Sequence, residues 1–200
     1  MRQNMRDDIR AFLAVRLPDD VTDALGHLAD EMARARVGGL KPVRPHNIHL
    51  TLKFFGNINA RQVDSIVDTV THTVKSIRPF TLRLGNVGAY PNIRSPRVLW
   101  VGLDGDVAPL LDAHRQIETA LKQVSIRSDS REFSPHLTIA RIRDRTTHNE
   151  RRRAAEALFS AEFRSGLSVP VDRFSLMRSI LKPEGSHYSS LAEIPLGEKD

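Results

Sequence analysis

His49-Leu50-Thr51-Leu52 and His136-Leu137-Thr138-Ile139 are two copies of one pattern, His-apolar-Thr-apolar, with their histidines 87 positions apart. Each copy alternates as a half-buried β-strand does. Side chains at i and i+2 share a face of a strand. His49 and Thr51 therefore point one way and Leu50 and Leu52 the other, and His136 and Thr138 repeat the arrangement over Leu137 and Ile139. Two such strands side by side would present two His/Thr pairs to one cleft.

The sequence around the motifs alternates between strand-like and helix-like segments. Ile9 to Leu17 predicts a buried strand, and Pro18-Asp19-Asp20 opens a helix that Gly38-Gly39 ends. The first motif strand runs from about Ile48 to Phe55 and stops at Gly56-Asn57. A helix follows over Ala60 to Ile77. Strands are expected over Phe80 to Leu84 and Arg97 to Leu103, joined by a turn-rich stretch from Ala89 to Pro96. A third helix spans Val107 to Val124. A polar loop, Arg127 to Glu132, leads into the second motif strand. A fourth helix covers Asn149 to Phe159. Val169 to Ser179 and His187 to Pro195 make a closing hairpin around the turn Lys182-Pro183-Glu184-Gly185. This order predicts an α+β fold of two pseudo-symmetric lobes, each a mainly antiparallel sheet with helices outside, enclosing a central groove.

The chain has 200 residues, enough for one domain spanning 1–200 with a core that needs no covalent staples. It has no cysteine, which excludes disulfides, thiol nucleophiles and cysteine-ligated metals. The polar N-terminus MRQNMRDDIR has no apolar signal core behind it, and Ala11 to Leu17 is too short to span a bilayer. A cytoplasmic location and no membrane association are expected. Net charge is +6 and the pI is about 10.1, which favours anionic partners, nucleic acid first among them. The clusters Arg141 to Arg145 and Arg151 to Arg153 are interleaved with acids and read as solvated surface as readily as a binding patch.

Histidine titrates nearest neutral pH, so two imidazoles in one cleft can act as acid and base once their environments differ. The neighbouring threonines offer hydroxyl donors that can hold phosphoryl oxygens without entering the proton traffic. The constellation suits in-line displacement at phosphorus, with no metal or other cofactor. The remaining histidines, His27, His46, His72, His114, His148 and His187, form no metal-ligand spacing.

These residues resemble the 2H phosphoesterase superfamily, and within it the RNA 2′,3′-cyclic phosphodiesterases, also called bacterial 2′-5′ RNA ligases. The likeness covers nearly the whole chain. It includes Arg10 to Val15 with Leu17-Pro18, Asn47 to Gly56, Pro96 to Gly102, Phe133 to Arg141, and the hairpin through Leu176 to Ser179, Gly185 and Tyr188. A monomer is expected, and the resemblance implies hydrolysis of an RNA-terminal 2′,3′-cyclic phosphate to a 2′-phosphate. It implies His49 as proton donor, His136 as proton acceptor, and Thr51 and Thr138 as phosphoryl contacts. It also makes Arg141 a candidate phosphate contact, although five residues from His136 strict alternation puts it on the opposite face, so a bulge is required. Lys53 shares the parity of His49 and Thr51 and is a candidate for the groove. Tyr188 and Phe55 are candidates for stacking on a base.

Alternative readings keep the groove and change its content. One is a phosphodiesterase for 2′-5′ oligonucleotides or a small cyclic nucleotide. The other is a catalytically silent RNA-binding module, which would have no need of two titratable groups. No P-loop is present.

Overall fold

The computed structural model describes residues 8–128, 132–183 and 185–197. The expected polar loop at 129–131, the turn residue Glu184 and the segments 1–7 and 198–200 lie outside the described residues.

The elements run β1 (Ile9–Val15), α1 (Asp19–Arg34), β2 (Leu40–Pro42), a 3-10 turn (Pro45–Asn47), β3 (Leu50–Ile58), α2 (Ala60–Val74), β4 (Phe80–Tyr90), β5 (Val98–Gly105), α3 (Val107–Gln123), β6 (His136–Ile142), α4 (His148–Phe159), β7 (Ser168–Val171), β8 (Arg173–Lys182) and β9 (Gly185–Pro195). Local chemistry sets the helix starts. Asn59 and Gln62 form a reciprocal capping box at α2, as do Thr147 and Glu150 at α4. Asp19 and Asp20 complement the positive end of α1.

The strands follow the order β7-β4-β5-β6-β3-β1-β8-β9, with β2 added to β6, and every pairing is antiparallel. The two expected halves are β7-β4-β5-β6 and β3-β1-β8-β9. They meet in one sheet at the two motif strands, where Leu50 pairs with Leu137. Each motif strand is thus the inner strand of its half.

The helices do not stay with the strands that precede them. α1 follows β1 but lies against β2, β6 and α4. α3 follows β5 but lies against α2, and its Glu118 reaches Lys53 on β3. The buried apolar side chains form one contiguous cluster that takes in residues of both halves.

Three details depart from the sequence reading. The strand expected over Val169 to Ser179 is broken at Asp172, and its two pieces go to opposite parts of the sheet, β7 to β4 and β8 to β1. The short β2 is an addition, since three residues carry no periodicity to read. β3 does not stop at Gly56 but passes through it, with φ at 71°, and ends at Ile58; glycine tolerates that backbone without strain.

The departure that shapes the site is a pair of β-bulges, in which one strand carries a residue with no partner opposite. On β3, Leu13 pairs with Lys53 and Ala14 with Thr51, leaving Leu52 extra. On β6, Leu99 pairs with Ala140 and Trp100 with Thr138, leaving Ile139 extra. Both bulges fall on the fourth residue of the motif, and each inverts the alternation beyond it.

Candidate active site

The Leu50–Leu137 pairing organises the motif residues. In an antiparallel register, one step to either side puts His49 across from Thr138 and Thr51 across from His136. Thr51, His136, Thr138 and Arg141 line a cavity of about 450 Å³, together with Phe54, Tyr90, Phe133 and others. His49 sits deeper and borders a separate cavity of about 260 Å³ with Phe12, Asn47 and Tyr188.

The two histidines are held alike. The Nδ1 of His49 is 2.8 Å from the carbonyl oxygen of Asn47, and that of His136 is 2.7 Å from the carbonyl oxygen of Ser134. A carbonyl can only accept, so Nδ1 carries the proton in both rings and Nε2 is left as the basic nitrogen. The residue two before each histidine is itself anchored. Asn47 Nδ2 donates to the carbonyl of Ser186 on β9 at 2.8 Å, and Ser134 Oγ is hydrogen-bonded to Tyr90 Oη on β4 at 2.7 Å.

Aromatic rings complete each setting. His49 stacks on Phe12, with centroids 4.6 Å apart and planes at 23°, and meets Tyr188 edge-on at 5.3 Å and 88°. His136 meets Tyr90 edge-on at 5.1 Å and 79°, with Trp100 at 6.4 Å. The chain has two tyrosines, and one stands against each motif histidine. Trp100 can lie there because its cross-strand partner is Gly88; a Cβ at that position would be 2.2 Å from Trp100 Cζ2.

Burial dominates the electrostatics of both rings. It pushes the His49 pKa down to about 4, the bond to Asn47 partly opposing it and the Arg141 charge adding to the fall. His136 is lowered by the same influences in the same order, with Ser134 in place of Asn47. Both imidazoles are therefore neutral at pH 7 in the unliganded protein, and one guanidinium acts on both.

Arg141 reaches the groove through the bulge at Ile139, which puts it on the face of His136 and Thr138. The matching bulge at Leu52 changes the setting of Lys53. Lys53 borders the groove, as parity with Thr51 predicts, but its side chain is 2% exposed and its Nζ is 2.6 Å from Glu118 Oε1. That ion pair ties α3 to the motif strand. Phe54 also faces the groove, 55% exposed and tilted against Phe12 at 5.7 Å. Phe55 packs against the core and under Lys53. Tyr188 borders the cavity of His49, not that of His136. Sequence reasoning missed Phe54, Tyr90 and the histidine-fixing carbonyls. A second bulge at the equivalent motif position would have exposed Phe54; nothing local marks Tyr90, because its strand runs on from Leu84 into the start of the stretch expected to be a turn.

A family model described as the 2′-5′ RNA ligase superfamily matches residues 24–182. The chain belongs to this superfamily. Relatives within it include the RNA 2′,3′-cyclic phosphodiesterase of Methanothermobacter thermautotrophicus, 31% identical over 183 residues, covering 92% of this chain and 96% of that one. The enzyme of the same name from Thermus thermophilus is 32% identical over 192 residues, covering 94% and 90%. Among solved structures, TT0787 of Thermus thermophilus superposes with a TM-score of 0.74 at 29% identity, covering 96% of this chain and all of the other. Escherichia coli LigT complexed with 3′-AMP gives a TM-score of 0.71 at 23% identity, covering 96% and 100%, and shares the superfamily fold. The antiparallel α+β architecture described above is the 2H phosphoesterase fold of these neighbours. Among the described residues no helix is long and apolar enough to cross a membrane.

Proposed function

We propose that this chain hydrolyses RNA-terminal 2′,3′-cyclic phosphates to 2′-phosphates through its two motif histidines, without a metal ion. The observation that carries the reading is the matched pair of Nδ1–carbonyl bonds at Asn47 and Ser134, which leaves a basic Nε2 on each of the two paired motif strands. The activity for which the relatives are named supplies the substrate class.

In this scheme the phosphate lies against Thr51, Thr138 and Arg141. His136 Nε2 takes a proton from water as the oxygen attacks phosphorus. The bond from phosphorus to the 3′ oxygen breaks, and His49 Nε2, protonated, gives that oxygen its proton. The histidines exchange protonation states, and solvent restores them. A free His49 with a pKa near 4 is a poor reservoir of protons at neutral pH. Binding the anionic phosphate opposes the Arg141 charge and raises both pKa values in the complex. The substrate thereby helps to charge its own acid. With a 5′-hydroxyl in place of water, the same groups would join two RNA ends.

One chain supplies both motifs, so the working unit is taken to be a monomer, acting in the cytoplasm. The test is a short RNA ending in a 2′,3′-cyclic phosphate, incubated with the protein and a chelator, with the product identified by mass and by phosphatase sensitivity. Conversion to a 2′-phosphate is expected. An unchanged RNA, or one carrying a 3′-phosphate, would overturn the scheme or its polarity.

A further inference from the structure

We infer that the protein binds a second nucleotide upstream of the reacting one, in a cavity on the far side of Phe54, and therefore selects oligoribonucleotides over cyclic mononucleotides. This rests on the reading of the preceding section. Phe54 lines two cavities: the catalytic groove and a neighbour of about 510 Å³ bordered by Asn57, Gln62, Ser125, Arg127 and Ser128. The second holds none of the motif residues, and its volume lies within the range of small-ligand sites, about 300–1,000 Å³.

Three observations point to RNA as its occupant. Phe54 is a large, half-exposed ring on the ridge between the cavities, where aromatic side chains of single-strand binders stack bases. It belongs to the half of the sheet that carries His49, against Phe12, the ring on which His49 stacks. If His49 is the acid, the departing 3′ oxygen and its ribose lie on that half, and the chain beyond them leads over Phe54. The far cavity then offers neutral donors and acceptors from Asn57, Gln62, Ser125 and Ser128, and the cation Arg127. That set suits a phosphodiester and a base without selecting sequence.

The test compares adenosine 2′,3′-cyclic phosphate with a trinucleotide ending in the same cyclic adenosine, for the wild type, Arg127→Ala and Lys75→Ala. Lys75 is exposed and lies at the other end of α2, about 20 Å from its start. The wild type is expected to prefer the trinucleotide in kcat/KM. Arg127→Ala should reduce that preference roughly tenfold and make the salt dependence on the trinucleotide shallower, by about 0.7 in log–log slope for one lost phosphate contact. Its rate on the mononucleotide should match the wild type, and Lys75→Ala should change neither. Equal use of both substrates by the wild type, or an Arg127→Ala enzyme with its preference and slope intact, would overturn the inference while leaving the proposed function standing. A folded wild type that turns over neither substrate would overturn the proposed function itself.

Discussion

Leu50 and Leu137 face each other where the halves of the sheet meet, and each directly follows a motif histidine. Their pairing sets which His stands across from which Thr, so the proposed acid–base pair is placed by backbone register and not by side-chain reach. Replacing either histidine should then remove chemistry without disturbing the frame. His49→Ala and His136→Ala are each expected to lower kcat by about 10²–10⁴-fold. The double variant should lose little more, because the groups act as a unit. Steady-state rates alongside circular dichroism check this, and near-normal turnover in either single variant would remove that residue from the scheme.

Arg141 depresses both histidines. Arg141→Gln is expected to raise both pKa values, visible as upward shifts in the NMR titrations of the two imidazole rings. It should also raise KM by the loss of a phosphate contact. Unmoved titrations would place the guanidinium away from the rings.

The pH dependence of kcat/KM should be bell-shaped, because free His49 must be protonated and free His136 neutral. With His49 near 4 and His136 below its ordinary 6.5, the maximum is expected on the acid side of 6.5. A plateau running from neutral to alkaline pH would exclude the paired-histidine account.

Stability should follow pH in the opposite sense. A histidine whose folded pKa is depressed binds its proton in the unfolded chain first, so its neutral form stabilises the fold above pH 6.5. That contribution, roughly 3 kcal/mol, is lost as pH falls from about 6.5 to about 4. Urea titrations at pH 7 and pH 4.5 check it, and His49→Asn should flatten the difference.

Gly88→Ala would drive a methyl into Trp100, the ring behind Tyr90 and His136. The expected result is a loss of about 1–3 kcal/mol, as for other overpacking changes, with a drop in kcat larger than the change in KM. A variant with unaltered Tm and activity would show that the indole has room to move.

How much of this the sequence discloses depends on the range of the interactions involved. Helices α1 to α4 and the motif strands are legible because their apolar periodicity is local. The split at Asp172 is not, since which strands Val169 and Phe174 pair with is decided by partners far away in sequence. Alternation places Thr51 and Thr138 correctly but fails one residue later, because a bulge leaves no mark in composition. Arg141 reaches the groove only if a bulge is supposed, and the same supposition at Leu52 would have added Phe54 to its lining. Arg151 shows the limit for charge. It sits in a run of arginines that reads as solvated surface, yet it is 7% exposed and donates to the carbonyls of Pro96, Arg143, Asp144 and Thr146.

The exchange of helices between the halves has a mechanical consequence. A cleft between two separately folded lobes can swing open about its seam, and many enzymes use such motion to admit substrate. Here α1 grips the half it did not come from, and α3 does the same through Glu118. The halves are clasped like interlaced hands, and parting them would tear the one core they share. Since, among the described residues, a single residue pair joins the two halves within the sheet, it is the crossed helices and the shared core that hold the seam, and thermal unfolding should pass in one step with no half-folded species.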